Sequence, residues 1–137
     1  MYKFLAEASN QPIYFYCLGI LKVVNFPFHS FPVDTEKTVW VLVNLLSNAL
    51  RYSPEHNKVI VKASIIDSSV EFSVKDFGVG IEDKYKDRLF KRYFQVPGSQ
   101  RNGTILGLAI SKEFIEDQNG KIGVESKVGE GAGLILL

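Results

Sequence analysis

The chain has 137 residues, of which 46% are hydrophobic and 23% charged, and its formal net charge is +1. This predicts one globular domain with a sizeable core, and the near-neutral charge argues against a nucleic-acid partner. Cys17 is the only cysteine, which excludes an internal disulfide and a cysteine-based zinc site. No apolar run approaches the ~20 residues of a membrane span, and the first residues lack the long apolar region and cleavage site of a signal peptide. We therefore expect a cytoplasmic domain, and leave open whether a longer protein that contains it is anchored in a membrane.

The first 32 residues are rich in aromatic residues and prolines. Residues 12–17 and 18–24 are predicted to form two strands, and residues 26–32 an extended connection, because their prolines exclude a helix. We expect residues 1–137 to form one domain, in which residues 1–10 are the remainder of a preceding linker or helix.

A helix is predicted between Asp34, a favourable N-cap residue, and Pro54, which ends it. At 100° per residue, its apolar residues form one stripe, which consists of Val39, Leu42, Val43, Leu46, Ala49 and Leu50. Asn44, Asn48 and Arg51 lie on the far side, spaced i, i+4 and i+7. This row of amide oxygens leading to a guanidinium suits a hydrated Mg²⁺ and the phosphates it accompanies. When this helix is considered alone, two polar residues that simply face solvent explain the pattern equally well.

Two strands are predicted after the helix, over residues 58–66 and 70–76. In the second strand, alternate residues from Val70 to Val74 share one face, and Asp76 has the same parity. A carboxylate is therefore expected to point inward at the strand end, where it needs a partner because a buried charge is costly. Two glycines follow and let the backbone approach a ligand closely. Taken alone, an Asp that caps the turn is the simpler interpretation.

The rest of the chain is predicted to contain a charged helix, a loop, a second helix and two closing strands, at residues 82–94, 95–103, 107–118, 121–126 and 132–137. The loop lacks periodicity, and Asn119-Gly120 stops the second helix. The order β-β-α-β-β-α-loop-α-β-β predicts an α+β fold, a two-layer sandwich in which three helices cover one face of a mixed sheet.

Four motifs follow one another along the chain. They are Asn44-x3-Asn48-Ala-x-Arg51-Tyr52, Asp76-x-Gly78-x-Gly80-Ile81, the phenylalanine-rich segment 90–94, and Gly103-Thr-x-Leu-Gly-Leu-Ala-Ile110. From residue 34 to residue 137 the chain resembles the ATP-binding catalytic domain of sensor histidine kinases. That family shares the Bergerat nucleotide fold with DNA gyrase B, MutL and the heat-shock chaperone ATPases. The resemblance implies ATP and Mg²⁺ as cofactors.

The resemblance also implies a role for each motif residue. Asn48 corresponds to the Mg²⁺ ligand with Asn44 beside it, Arg51 to a phosphate contact, and Tyr52 to a residue along the nucleotide. Asp76 corresponds to the acceptor for the exocyclic amine of adenine. Asn44 and Arg51 are the implied catalytic residues. The further nucleotide contacts implied are Gly78, Gly80, Ile81, Arg92, Gly103, Thr104, Leu106, Gly107 and Leu108.

Three positions bear on how far the resemblance extends. ATP-hydrolysing relatives carry a glutamate where this chain has Asn44, and an amide cannot take a proton from water at neutral pH. In the segment that corresponds to the nucleotide lid and the start of the next helix, Ile105 replaces a glycine, and near the C-terminus Ala132 replaces a hydroxyl residue. A degenerate domain that binds nucleotide weakly and acts as an interaction module is therefore an alternative.

The implied activity is that of a protein-histidine kinase, which transfers the γ-phosphate of ATP to a histidine on a dimerisation domain. A response regulator is an indirect partner. Neither His29 nor His56 lies in a helical phosphoacceptor motif, so we expect the acceptor elsewhere in a longer kinase and a monomeric fragment here. A Bergerat ATPase and an anti-sigma-type serine kinase are further alternatives. Asn44 argues against the former, and the Arg51-Tyr52 pair against the latter.

Overall fold

Helices and strands follow one another in the predicted order. The computed structural model describes residues 14–15, 21–22, 33–54, 59–66, 69–99 and 106–136. The elements are β1 (Tyr14–Phe15), β2 (Leu21–Lys22), α1 (Thr35–Tyr52), β3 (Ile60–Ile66), β4 (Ser69–Lys75), α2 (Asp83–Lys86), α3 (Gly107–Glu116), β5 (Ile122–Lys127) and β6 (Gly131–Leu136). The α+β class is confirmed. The domain limits stay a prediction, and residues 1–10 lie outside the described residues.

The main sheet has four strands in the order β3-β4-β6-β5, and each of its described strand pairs is antiparallel. We predicted a mixed sheet, and the antiparallel pairing of the described strands corrects that prediction. The sheet consists of two hairpins, β3–β4 and β5–β6, which join through β4 and β6. Hairpins are antiparallel by necessity, and the β4–β6 pairing joins segments too distant for local sequence to show. β1 and β2 pair with each other in a separate sheet.

α1 begins and ends at the predicted residues. Asp34 is the N-cap, and its Oδ1 accepts a hydrogen bond of 3.0 Å from the backbone N–H of Lys37. The helix stops at Tyr52, and Ser53 has an extended backbone before Pro54. These limits are confirmed because cap and proline act locally, independently of tertiary packing.

Only half of the predicted apolar stripe of α1 packs in or against the core. Three residues of α1 lie in the buried cluster, which consists of Val41, Leu45, Ala49, Val59, Val61, Val74 and Ile115. By contrast, Val39, Val43 and Leu50 of the predicted stripe are 48%, 49% and 43% exposed. Leu42 and Leu46 pack at the edge of the cluster. Apolar residues surround most of this helix, so periodicity alone does not tell which arc faces the sheet.

The orientation of α1 about its axis therefore differs from the prediction, and this changes the position of the polar row. Because the buried arc of α1 centres on Leu45, Asn44 and Asn48 lie beside the core rather than opposite it, and Asn44 contacts α3. α3 runs antiparallel to α1. At its C-terminal end, Gln118 Oε1 accepts a hydrogen bond of 2.7 Å from Asp34 N. Farther along, the Trp40 ring meets that of Phe114 edge-on, with centroids 5.2 Å apart.

The charged helix predicted over residues 82–94 is shorter than expected. α2 covers only Asp83–Lys86, and turns follow it. Tyr93 has a φ of 62°, a left-handed backbone that an α-helix cannot contain as a regular residue. α3 ends at Glu116, two residues before the predicted end, and a turn leads to Asn119-Gly120, where Gly120 N donates to Ile115 O. Among the helices of the described residues, none combines the length and hydropathy needed to cross a membrane.

Candidate functional site

The polar row of α1 is ordered by hydrogen bonds. Arg51 donates from a guanidinium nitrogen to Asn48 Oδ1 at 3.0 Å, and Asn44 Nδ2 donates to Ser111 Oγ of α3 at the same distance. All three residues of the row are half-buried. The structure therefore brings the predicted row together, and its Asn44 end meets α3.

The first turn of α3 approaches this row through a glycine. Gly107 is buried, and a Cβ at this position would overlap the Asn44 side-chain oxygen. Leu106 stands at the N-cap, and its side chain makes no capping hydrogen bond. Leu108 is half-buried and packs against the core. The helix therefore begins against Asn44, and its first N–H groups have no capping side chain at Leu106, as in helix N-termini that bind anions.

Asp76 lies at the opposite end of the row. Its carboxylate is buried, and Oδ1 accepts a hydrogen bond of 2.8 Å from Gly78 N. A Cβ at Gly78 would overlap the backbone oxygen of Tyr52, so only glycine lets this loop meet the end of α1. The predicted inward carboxylate is confirmed, together with the buried Val74 on the same face of β4.

The loop after Asp76 is fastened to the β5–β6 hairpin. Gly80 has a φ of 75° and lies against the Lys127 carbonyl. Ile81 N donates to Ser126 Oγ at 2.8 Å, and Gly129 N donates to Val79 O at 2.8 Å. These bonds fix the backbone of the loop on a rigid sheet edge, so that Asp76 has a defined position.

Arg92 is ion-paired with Glu113 of α3. Its terminal nitrogen lies 2.6 Å from Glu113 Oε1, and its Nε lies 3.2 Å from the same oxygen. The hydrogen bonds to this carboxylate raise the pKa of the Arg92 guanidinium. Both side chains are at least half exposed, so the pair contributes little to stability. It links the phenylalanine-rich segment to α3.

Of the predicted lid, residues 95–104, the structure describes only residues 95–99. Gly103, Thr104 and the adjoining Ile105 lie outside the described residues, and their roles stay predictions. Three polar residues were missed: Ser111, Glu113 and Ser126. A signal existed only for Ser111, which lies four residues after Gly107 on an otherwise apolar helix face. Glu113 and Ser126 matter through partners far away in sequence, which no local pattern shows.

The donors present limit which metal the site suits. Within the described part of the chain, no three His, Cys, Asp or Glu side chains are grouped to hold a metal ion. Asn48 offers a neutral amide oxygen, which keeps one lone pair beside its bond to Arg51. Mg²⁺ binds oxygen and retains several waters. Such a site fits Mg²⁺ only when a phosphorylated ligand supplies the compensating negative charge.

Comparison with known proteins identifies the family. Residues 33–136 match the histidine kinase-, DNA gyrase B- and HSP90-like ATPase family. The chain belongs to this family. Over 104 residues this ATPase domain is 38% identical to the sensor histidine kinase WalK of Bacillus subtilis, covering 72% of the chain and 17% of WalK. Over 99 residues it is 33% identical to the swarming motility sensor RssA of Serratia marcescens, covering 72% of the chain and 20% of RssA.

Solved structures of histidine kinases are also similar to the ATPase domain. The mycobacterial sensor kinase MprB matches with a TM-score of 0.71 and 26% identity, over 77% of this chain and 73% of that one. Full-length ShkA in complex with AMPPNP matches with a TM-score of 0.64 and 32% identity, over 73% and 20%. The resemblance to histidine kinase catalytic domains is thereby confirmed. The chain spans a fifth or less of the length of WalK and RssA.

Proposed function

We propose that the chain is the catalytic domain of a sensor histidine kinase, which binds Mg-ATP and donates the γ-phosphate to a histidine on a dimerisation domain. One observation carries the proposal: α1 connects two unlike ends of one site. Asn44 lies against the first turn of α3, and the Tyr52 carbonyl lies against Gly78 beside the buried Asp76. Eight residues of helix separate these ends by about 12 Å, which suits an elongated ligand with a base and a phosphate chain.

The two ends of the site offer opposite hydrogen-bonding groups, an acceptor at one end and donors at the other, as a nucleotide requires. Asp76 is a buried acceptor, and adenine presents an exocyclic amine as donor. At the other end, the N–H groups of the first α3 turn are donors that favour phosphate oxygens, and the Arg51 guanidinium, which is bonded to Asn48, adds a donor between the two ends. Asn48 would hold Mg²⁺, which when bound neutralises phosphate charge. Arg92 is a further candidate phosphate contact.

Water attack on the nucleotide has no catalytic base in the polar row. Asn44 is an amide, and its nitrogen is engaged with Ser111. The site therefore acts by positioning the phosphates and neutralising their charge, the mode of catalysis typical of phosphoryl transfer. This supports transfer to a protein histidine over hydrolysis. Radiolabel passing from γ-labelled ATP to a separately supplied dimerisation domain tests the transfer step.

Asn48→Ala tests the metal assignment. We expect it to weaken Mg²⁺-dependent binding of AMPPNP by about 1–3 kcal/mol, the loss of one contact to a charged group. The melting temperature without ligand changes little, because Asn48 is outside the buried cluster. Calorimetric titration of AMPPNP with and without Mg²⁺ measures the part of the affinity that depends on the metal. Ser47→Ala, on the exposed face of α1, is the matched control.

Two results of the same titration would contradict the assignment. Equal affinity of Asn48→Ala and the parent chain removes Asn48 as the Mg²⁺ ligand. Heat from Mg²⁺ alone contradicts a metal that arrives with its nucleotide. Absence of AMPPNP binding by the parent chain favours the degenerate interaction module, for which Ile105 and Ala132 are the sequence arguments.

Glu113→Gln tests whether Arg92 contacts phosphate. Removal of the carboxylate frees the guanidinium and removes a negative charge beside α3, so we expect AMPPNP to bind about twofold to fivefold more tightly at low salt. Glu116→Gln is the matched control, since Glu116 lies on the same helix and its partner Lys112 is 3.7 Å away. Titration at two salt concentrations measures the effect. Unchanged affinity in Glu113→Gln would remove Arg92 from the site.

A further inference from the structure

Ser111 has no role in the site as described so far, although it is completely buried. Its hydroxyl donates to Gly107 O at 2.7 Å and accepts from Asn44 Nδ2 at 3.0 Å. We infer that Ser111 is a positioning residue, which fixes the first turn of α3 against α1 and thereby sets the phosphate end of the nucleotide site. This inference rests on the proposed function.

The contact between α1 and the start of α3 is polar and tight. The Asn44 side chain lies directly on Gly107, where a Cβ would overlap its oxygen. Its amide nitrogen is turned to Ser111, one helical turn farther along α3. The other end of α3 is held differently, by the ring contact of Trp40 with Phe114 and by an ion pair of Lys37 with Asp117.

Loss of the Ser111 hydroxyl would leave the Asn44 N–H groups without this acceptor in a half-buried place. An unsatisfied donor turns toward another partner or draws in water. Because the Asn44 amide lies on Gly107, any rotation pushes on the first turn of α3. The N–H groups of that turn are the ones that face phosphate oxygens. Affinity for the phosphates should therefore fall, while the Asp76 end, held by Gly78 and the β5–β6 hairpin, keeps its geometry.

Ser111→Ala separates the two ends when two ligands are compared. We expect about tenfold weaker binding of AMPPNP with Mg²⁺, the effect of one buried hydrogen bond, and unchanged binding of adenosine, which has no phosphate. Ser47→Ala is the matched control, because Ser47 makes the same back-bond to the carbonyl four residues earlier, 2.8 Å to Val43 O, on an exposed face. Ser111→Cys keeps a donor and an acceptor at this position, but its larger sulfur bonds only weakly, so this variant should lose affinity to an intermediate degree.

A double-mutant cycle with Asn44→Ala tests the route of the effect. If Ser111 acts through Asn44, Ser111→Ala has no additional effect on AMPPNP affinity in the Asn44→Ala background. Parallel loss of AMPPNP and adenosine affinity, or additive losses in the cycle, would overturn the inference. AMPPNP affinity of Ser111→Ala equal to that of the parent chain would by itself overturn the inference. Absence of AMPPNP binding by the parent chain would overturn the proposed function, and the inference with it.

Discussion

Leu45→Ala lowers the free energy of unfolding by about 2–5 kcal/mol in our expectation, the range for truncating a fully buried leucine. Leu45 has no exposed surface, and it lies at the centre of the arc of α1 that faces the sheet. The loss has two parts: the transfer free energy of the deleted carbon atoms and the cavity left among Val41, Val74 and Ile115. Urea denaturation of the chain without ligand measures it.

Leu50→Ala is the matched control for that experiment. It makes the same chemical change on the same helix, but Leu50 is 43% exposed. We expect a cost below about 1 kcal/mol, because little apolar surface is returned to water. The two variants distinguish the observed core from the stripe that periodicity predicted. A larger cost for Leu50→Ala than for Leu45→Ala would mean that α1 is rotated and that the polar row does not face α3.

The parts of this fold that sequence predicts are those decided by neighbouring residues. Asp34 caps α1 through its own side chain, and Pro54 stops it, so both limits are confirmed. The inward direction of Asp76 follows from the strict alternation of a strand, which leaves only two faces to choose from.

The parts that sequence does not predict depend on choices between nearly equal alternatives. α1 is apolar over most of its circumference, and the burial of Val41 instead of Val43 is decided by the sheet it meets. The charged segment after α2 cannot continue as a helix through Tyr93, which adopts a left-handed backbone although its residue type disfavours that conformation. The bond from Asn44 to Ser111 joins residues 67 positions apart. Such contacts become visible only when both helices are placed.

The two ends of the site are held by separate contacts, and this makes base recognition testable on its own. The end that we propose for phosphate depends on Asn44, Gly107 and Ser111, whereas the end that we propose for the base depends on Asp76 and the loop bonded to β5 and to the turn after it. A change at one end should therefore leave the geometry of the other intact.

Asp76→Asn is expected to remove most of the preference for adenine. The asparagine oxygen can keep the hydrogen bond from Gly78 N, so the loop should retain its position. The new amide nitrogen, however, is a donor, and it meets the donor amine of adenine where the carboxylate accepted. We expect AMPPNP affinity to fall by about 1.5–3 kcal/mol, the range for a hydrogen bond to a charged group. Guanine carries a carbonyl oxygen at the equivalent ring carbon, so its analogue should lose less.

The measurement is a pair of calorimetric titrations, with AMPPNP and with the corresponding guanine analogue, on the parent chain and on Asp76→Asn. Asp83→Asn is the control, because it makes the same change on a side chain that is 94% exposed on α2. A fall in affinity for both analogues by the same factor would indicate that the loop has moved. If the variant discriminates the two bases as well as the parent chain does, Asp76 only caps the turn at Gly78, and the adenine acceptor must be sought elsewhere along the Tyr52 end of α1.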